Sequence, residues 1–105
     1  MAAGYCIVMT TCGKRAVTSR ITAALLRERL AACIQTLPVR STYRWKGRLV
    51  RDREILLLIK TRSALFRKVE ARIRSLHPYS VPEILRLPVS GGGRSYLRWL
   101  DSETR

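Results

Sequence analysis

The residue order predicts an α+β fold in which two amphipathic helices are interleaved with four strands, β-α-β-β-α-β, with a short helix added at the C-terminal end. Three observations carry this. Apolar residues recur at helical spacing in two separate stretches, Val17 to Leu30 and Leu65 to Leu76. Between those stretches, Lys46-Gly47 joins two long runs that read as the arms of a hairpin. The remaining apolar runs are short, rich in β-branched residues and bounded by glycine or proline. The 105 residues suit a single domain, residues 1–105.

Tyr5 to Met9 is a buried strand, continued by Thr10 and Thr11 and closed by a turn at Cys12-Gly13. Val17, Ile21, Ala24 and Leu25 then form one stripe of a helix over about residues 15 to 30, with Arg20, Arg27 and Glu28 between them. Ala31 to Leu37 returns to a strand, which Pro38 interrupts with a bulge or an edge position. Ser41 to Trp45 resumes it, Gly47 supplies the positive φ of a tight turn, and Arg48 to Arg62 runs back. Ser63 is placed to cap the second helix, whose stripe is Leu65, Val69, Ile73 and Leu76. That helix ends near His77, because Pro78 disfavours helical geometry at the residue before it. Val81 to Val89 is a last strand at a sheet edge, given Pro82 and Pro88. Gly91-Gly92-Gly93 connects it to a closing helix around Tyr96, Leu97, Trp99 and Leu100.

Two split βαβ units of this kind make a ferredoxin-like sandwich, with both main helices on one face of an antiparallel sheet. Such a sheet wets its second face and should alternate apolar with polar residues. Ile55 to Ile59 and Cys6 to Met9 are apolar on both faces. A patch of that size is covered in stable proteins. The expected cover is other copies of the chain.

Composition narrows the function. With 47% apolar and 27% charged residues the chain is not disordered. No run approaches the roughly 18 to 20 apolar residues of a membrane span. Met1 to Met9 has no basic stretch before its apolar segment and no cleavage signal, so a cytoplasmic protein is expected. Cys6, Cys12 and Cys33 form no CxxC pair and read as free thiols. The net charge is +14, with only four lysines among 21 basic residues, spread from Lys14 to Arg105. This predicts non-specific association with nucleic acid at low salt only, centred on Arg44, Lys46, Arg48, Arg51 and Arg53. The second functional reading is a basic ferredoxin-like nucleic-acid-binding protein, although Ile55 to Ile59 lacks the aromatics of an RNA-recognition sheet. No GxxxxGK[ST] loop, HExxH helix or Ser/His/Asp set is present, so no enzyme is expected.

Several segments taken together resemble the CutA family of divalent-cation tolerance proteins. They are the strand leading to Thr10-Thr11, Leu30-Ala31-Ala32-Cys33, Ser41-Thr42-Tyr43-Arg44-Trp45-Lys46-Gly47, Ile59-Lys60-Thr61, His77-Pro78-Tyr79-Ser80-Val81-Pro82-Glu83 and Tyr96-Leu97-Arg98-Trp99. The resemblance spans nearly the whole chain. It implies a ferredoxin-like subunit in a tight homotrimer, a link to copper and other divalent metals, and no established reaction. It also implies a Cys/His/Glu copper site in bacterial members, and in a mammalian member an association with acetylcholinesterase anchoring. Only His77 and Glu83 match that site directly; its first-strand cysteine falls on Met9. Where many members carry Pro-Asp-Glu, this chain has Cys12-Gly13-Lys14.

The metal candidates are therefore His77, Glu83 and Cys12, with Met9 and Cys6 as further soft donors. A neutral imidazole and a carboxylate suit copper(II), whereas sulfur suits copper(I). His77 has a second, structural reading as a donor that fixes the helix end, and Glu83 one as an arginine partner. Trp45, Lys60 and Tyr79 are amphipathic groups beside the most apolar segments and are expected to line a cleft between subunits that holds a small anion, or else to pack at a rim.

Overall fold

The computed structural model describes residues 4–105. Residues 1–3, the start of the stretch read for a leader, lie outside the described residues. Four strands, β1 (Tyr5–Cys12), β2 (Cys33–Trp45), β3 (Arg48–Arg62) and β4 (Ile84–Val89), form one antiparallel sheet in the order β2-β3-β1-β4. Helices α1 (Arg15–Arg27) and α2 (Phe66–Leu76) follow β1 and β3, and α3 (Arg94–Glu103) follows β4. This is the expected α+β ferredoxin-like sandwich with its added helix.

The core lies between the sheet and α1 and α2. Cys6, Val8 and Cys12 of β1 and Leu57 and Ile59 of β3 meet Ile21 and Leu25 of α1 and Val69 and Ile73 of α2. Period-two alternation assigns Ile7 and Met9, Leu56 and Leu58, Leu37, and Leu85 and Leu87 to the opposite face, where the register brings them side by side. Leu37, Leu85 and Leu87 are each 40% exposed or more. The second apolar face is real in this chain. Helix α3 reaches one end of it, where the Arg62 guanidinium donates to Thr104 Oγ1 and to the Thr104 carbonyl.

Several boundaries differ from the sequence expectation. Helix α1 stops three residues early in a Schellman closure, with Leu30 N–H on the Leu25 carbonyl at 2.9 Å and Arg29 N–H on Leu26 at 3.2 Å. Arg29 takes the left-handed position usual for glycine, φ 58°. Ala31 and Ala32 consequently belong to the exit turn, and β2 starts at Cys33. Pro38 does not interrupt β2, which pairs without a break from Cys33 to Trp45. Of its two readings the edge position holds: β2 is an edge strand, so the proline needs no partner on its outer side. Ser63 makes no side-chain cap; it opens a short 3-10 turn, Ser63–Leu65, that leads into α2. The last strand begins at Ile84, three residues late, because Val81 to Glu83 belong to the segment that crosses from α2. The hairpin turn has positive φ at both positions, Lys46 at 50° and Gly47 at 77°, the type I′ signature that matches strand twist.

Candidate functional site

Strand β1 ends at Cys12, opposite Ile55, but β2 and β3 continue together for seven further residue pairs to the turn. A two-stranded ribbon therefore projects past the sheet. One of its faces carries Ser41, Tyr43, Trp45, Asp52 and Glu54, and it overhangs the segment that follows α2. Between them lies a cleft of about 600 Å³, closed on the far side by Tyr79, Ser80, Val81 and Glu83 and floored by Thr11.

His77 sets the position of that segment. Pro78 forces its backbone out of the helix, to φ −84° and ψ 131°, so the chain turns back toward β1. The imidazole is buried, with Nε2 at 2.7 Å from the Thr11 carbonyl and Nδ1 at 3.2 Å from the Tyr79 N–H. A carbonyl only accepts and an amide N–H only donates, so Nε2 carries the hydrogen and Nδ1 spends its lone pair on Tyr79. Cys12 Sγ lies 3.7 Å from Nε2. That thiol is fully buried, and burial pushes its pKa up, so it stays a thiol and a poor ligand.

The cleft proper is acidic and aromatic. The Tyr79 hydroxyl donates to Glu54 Oε2 at 2.9 Å, and the Tyr43 hydroxyl donates to Asp52. Gly13 keeps the first contact open, since a Cβ there would lie 2.8 Å from the Tyr79 hydroxyl. Glu54 is only 7% exposed. The chain has seven acids. Four of them pair with arginine: Glu28 with Arg72, Glu70 with Arg74, Asp101 with Arg62, and Glu103 with Arg29. The other three, Asp52, Glu54 and Glu83, line this cleft and meet no lysine or arginine among the described residues. In a chain of net charge +14, that is a local inversion of sign.

Of the residues expected from sequence, Trp45, Tyr79 and Glu83 meet in the cleft, and His77 and Cys12 stand behind its Thr11 floor. Lys60 does not join them. It lies opposite Ile7 and Cys33, well back along β3, and donates to Gln35. Among the described residues no three His, Cys, Asp or Glu side chains converge to hold a metal ion. Tyr43, Asp52 and Glu54 were missed by the sequence reading. The signal was present: counting back from the Lys46-Gly47 turn at period two puts Tyr43, Asp52 and Glu54 on the face of Trp45.

The CutA1 divalent ion tolerance protein family model matches residues 6–103. The chain belongs to the CutA1 family. It is 46% identical over 99 residues to the divalent-cation tolerance protein CutA of Thermus thermophilus, covering 93% of this chain and 96% of that one. Mouse Protein CutA is 41% identical over 95 residues, and there the match spans 54% of the longer mouse protein. Among solved structures, Thermus thermophilus Cut A1 superposes with a TM-score of 0.93 at 45% identity, covering 96% of this chain and 99% of that one. CutA1 of Oryza sativa gives 0.94 at 36% identity, with 97% and 94% covered. No helix among the described residues is long and apolar enough to cross a membrane.

The tyrosines of the cleft give a direct check on this CutA1 geometry. Burial and the Glu54 carboxylate raise Tyr79 to about 12, and the Asp52 carboxylate raises Tyr43 to about 12. A raised tyrosine favours the folded state below pH 10, and that contribution is lost as pH climbs from about 10 to about 12. Absorbance titration of the folded protein should show Tyr43 and Tyr79 ionising latest, with Tyr96 also held above the usual tyrosine value by burial. The double variant Asp52→Asn/Glu54→Gln should return Tyr43 and Tyr79 toward 10; a titration unchanged in that variant would contradict the two hydrogen bonds.

Proposed function

We propose that the chain is a non-catalytic, homotrimeric, cytoplasmic module of divalent-cation tolerance, and that its cleft attracts the divalent ion, with copper(II) as the metal. The sorting of the acids carries this reading: three carboxylates that form no salt bridge among the described residues line one cleft of a strongly basic chain. Their summed field concentrates cations in the cleft, and carboxylate oxygens accept a hydrated divalent ion. One protomer provides too few converging ligands for a closed site, so water or a second copy completes the coordination and the binding is weak. The open apolar face, with Leu37, Leu85 and Leu87 exposed, supports assembly around that face. Ser41 and Ser80 have no histidine or lysine beside them in the cleft lining, which supports a binding role over a catalytic one.

Calorimetric titration of untagged protein with copper(II) tests the reading. Asp52→Asn/Glu83→Gln should weaken binding at least tenfold, about 1.4 kcal/mol. An unchanged affinity would mean that copper meets a thiol such as partly exposed Cys33, and the cleft would lose its assignment.

A further inference from the structure

The reverse face of the β2–β3 ribbon carries the opposite chemistry from the cleft. The same register that turns Tyr43 and Asp52 inward places Arg40, Arg44, Arg51 and Arg53 together on the other side. All four are exposed, and none joins a salt bridge among the described residues. Arg40 stands directly opposite Arg53, with Arg51 opposite Thr42 and Arg44 opposite Leu49. Like charges facing each other across an antiparallel pair destabilise the ladder. Nothing within the described residues compensates this pair. An anion laid on the face reverses the sign of that interaction.

We propose that this arginine face binds duplex nucleic acid through its phosphate backbone, without reading base sequence. Guanidinium groups grip phosphate oxygens in bidentate pairs that ammonium groups do not match. Arg40 and Arg44 lie about 13 Å apart along one strand, while Arg40 and Arg53 lie only about 5 Å apart across the ladder. A two-stranded ribbon of this kind fits a major groove about 12 Å wide. The face carries no aromatic side chain, so it has no stacking platform for single strands. Leu49 is its one large apolar group, too little to anchor in a bilayer. The site is separate from the cleft and does not depend on the metal reading.

Fluorescence anisotropy with a labelled mixed-sequence duplex of about 20 base pairs tests the proposal on the full chain. Four phosphate contacts give a log–log salt slope near −3.6, so raising salt from about 50 mM to 200 mM should weaken binding on the order of a hundredfold. The variant Arg40→Gln/Arg44→Gln/Arg51→Gln/Arg53→Gln should lose at least tenfold in affinity at 50 mM salt and most of that slope. A control, Arg20→Gln/Arg27→Gln/Arg67→Gln/Lys68→Gln, removes the same charge from exposed positions of α1 and α2. It should stay within about threefold of the parent. Equal losses in the two variants would assign binding to bulk charge and overturn the proposal. So would no duplex binding at 50 mM salt, or tighter binding to phosphatidylserine vesicles than to the duplex. Circular dichroism melts of both variants verify that each keeps the fold.

Discussion

Leu57→Asp should abolish the cooperative folding of the chain. Leu57 is fully buried at the centre of β3, opposite Thr10 and Thr36, in the core beneath the helices. A carboxylate there has no cationic partner, and an uncompensated buried charge costs several kcal/mol. A domain of this size has about 5–15 kcal/mol in total. The neighbouring substitution separates fold from assembly. Leu58 faces the other way, beside Met9 and Gln35 on the open side of the sheet. Leu58→Asp should melt cooperatively as a monomer near 12.0 kDa, whereas the parent should scatter light as about three times that mass. If the parent is monomeric, or if both variants unfold alike, the assembly face is misassigned.

His77→Ala should be the next most damaging change. It strips the buried Thr11 carbonyl and the Tyr79 N–H of their partners and opens a hole beside Cys12. The buried Thr11 carbonyl left unsatisfied costs about 1–3 kcal/mol, and the cavity and the partly buried Tyr79 N–H add to that. A loss of about 2–4 kcal/mol corresponds to a drop of roughly 10–25 °C in Tm. The measurement is a thermal melt at one fixed protein concentration, since the proposed assembly would make Tm concentration-dependent. A change below about 0.5 kcal/mol would show that the imidazole is free to serve a ligand instead of the fold.

The framework of the molecule is legible in the sequence because its signals are local and mutually consistent. The Val17–Leu25 and Leu65–Leu76 stripes, the Lys46-Gly47 turn and the Pro78 stop each act within a few residues. The errors arise where the sheet decides. Pro38 reads as a bulge or an edge position, and only the sheet order decides for the edge. Lys60 looks like a cleft residue until the register sets it opposite Ile7. The site was half legible for the same reason. Trp45, Tyr79 and Glu83 stand out by type, but the carboxylates of Asp52 and Glu54 look like ordinary surface charges. Only the overhang of the ribbon past Cys12 makes them walls of a cleft. His77 was identified with both of its readings open, and two hydrogen bonds to backbone atoms favour the structural one.

The left-handed residue that closes α1 has a consequence for motion at the C-terminal end. The carbonyl of Arg29 accepts the backbone N–H of Arg105 at 3.0 Å, and its guanidinium reaches Glu103 at 3.3 Å. Thr104 is buried, its hydroxyl on the Leu100 carbonyl and under the guanidinium of Arg62. Chain ends ordinarily fray, and their amide protons exchange with water at almost no free-energy cost. Here the last turn is tied to the exit of the first helix and to the end of the third strand. To expose the Arg105 amide, the chain must break the join between α1 and α3, so its proton should exchange with the opening of that corner and not as a loose tail.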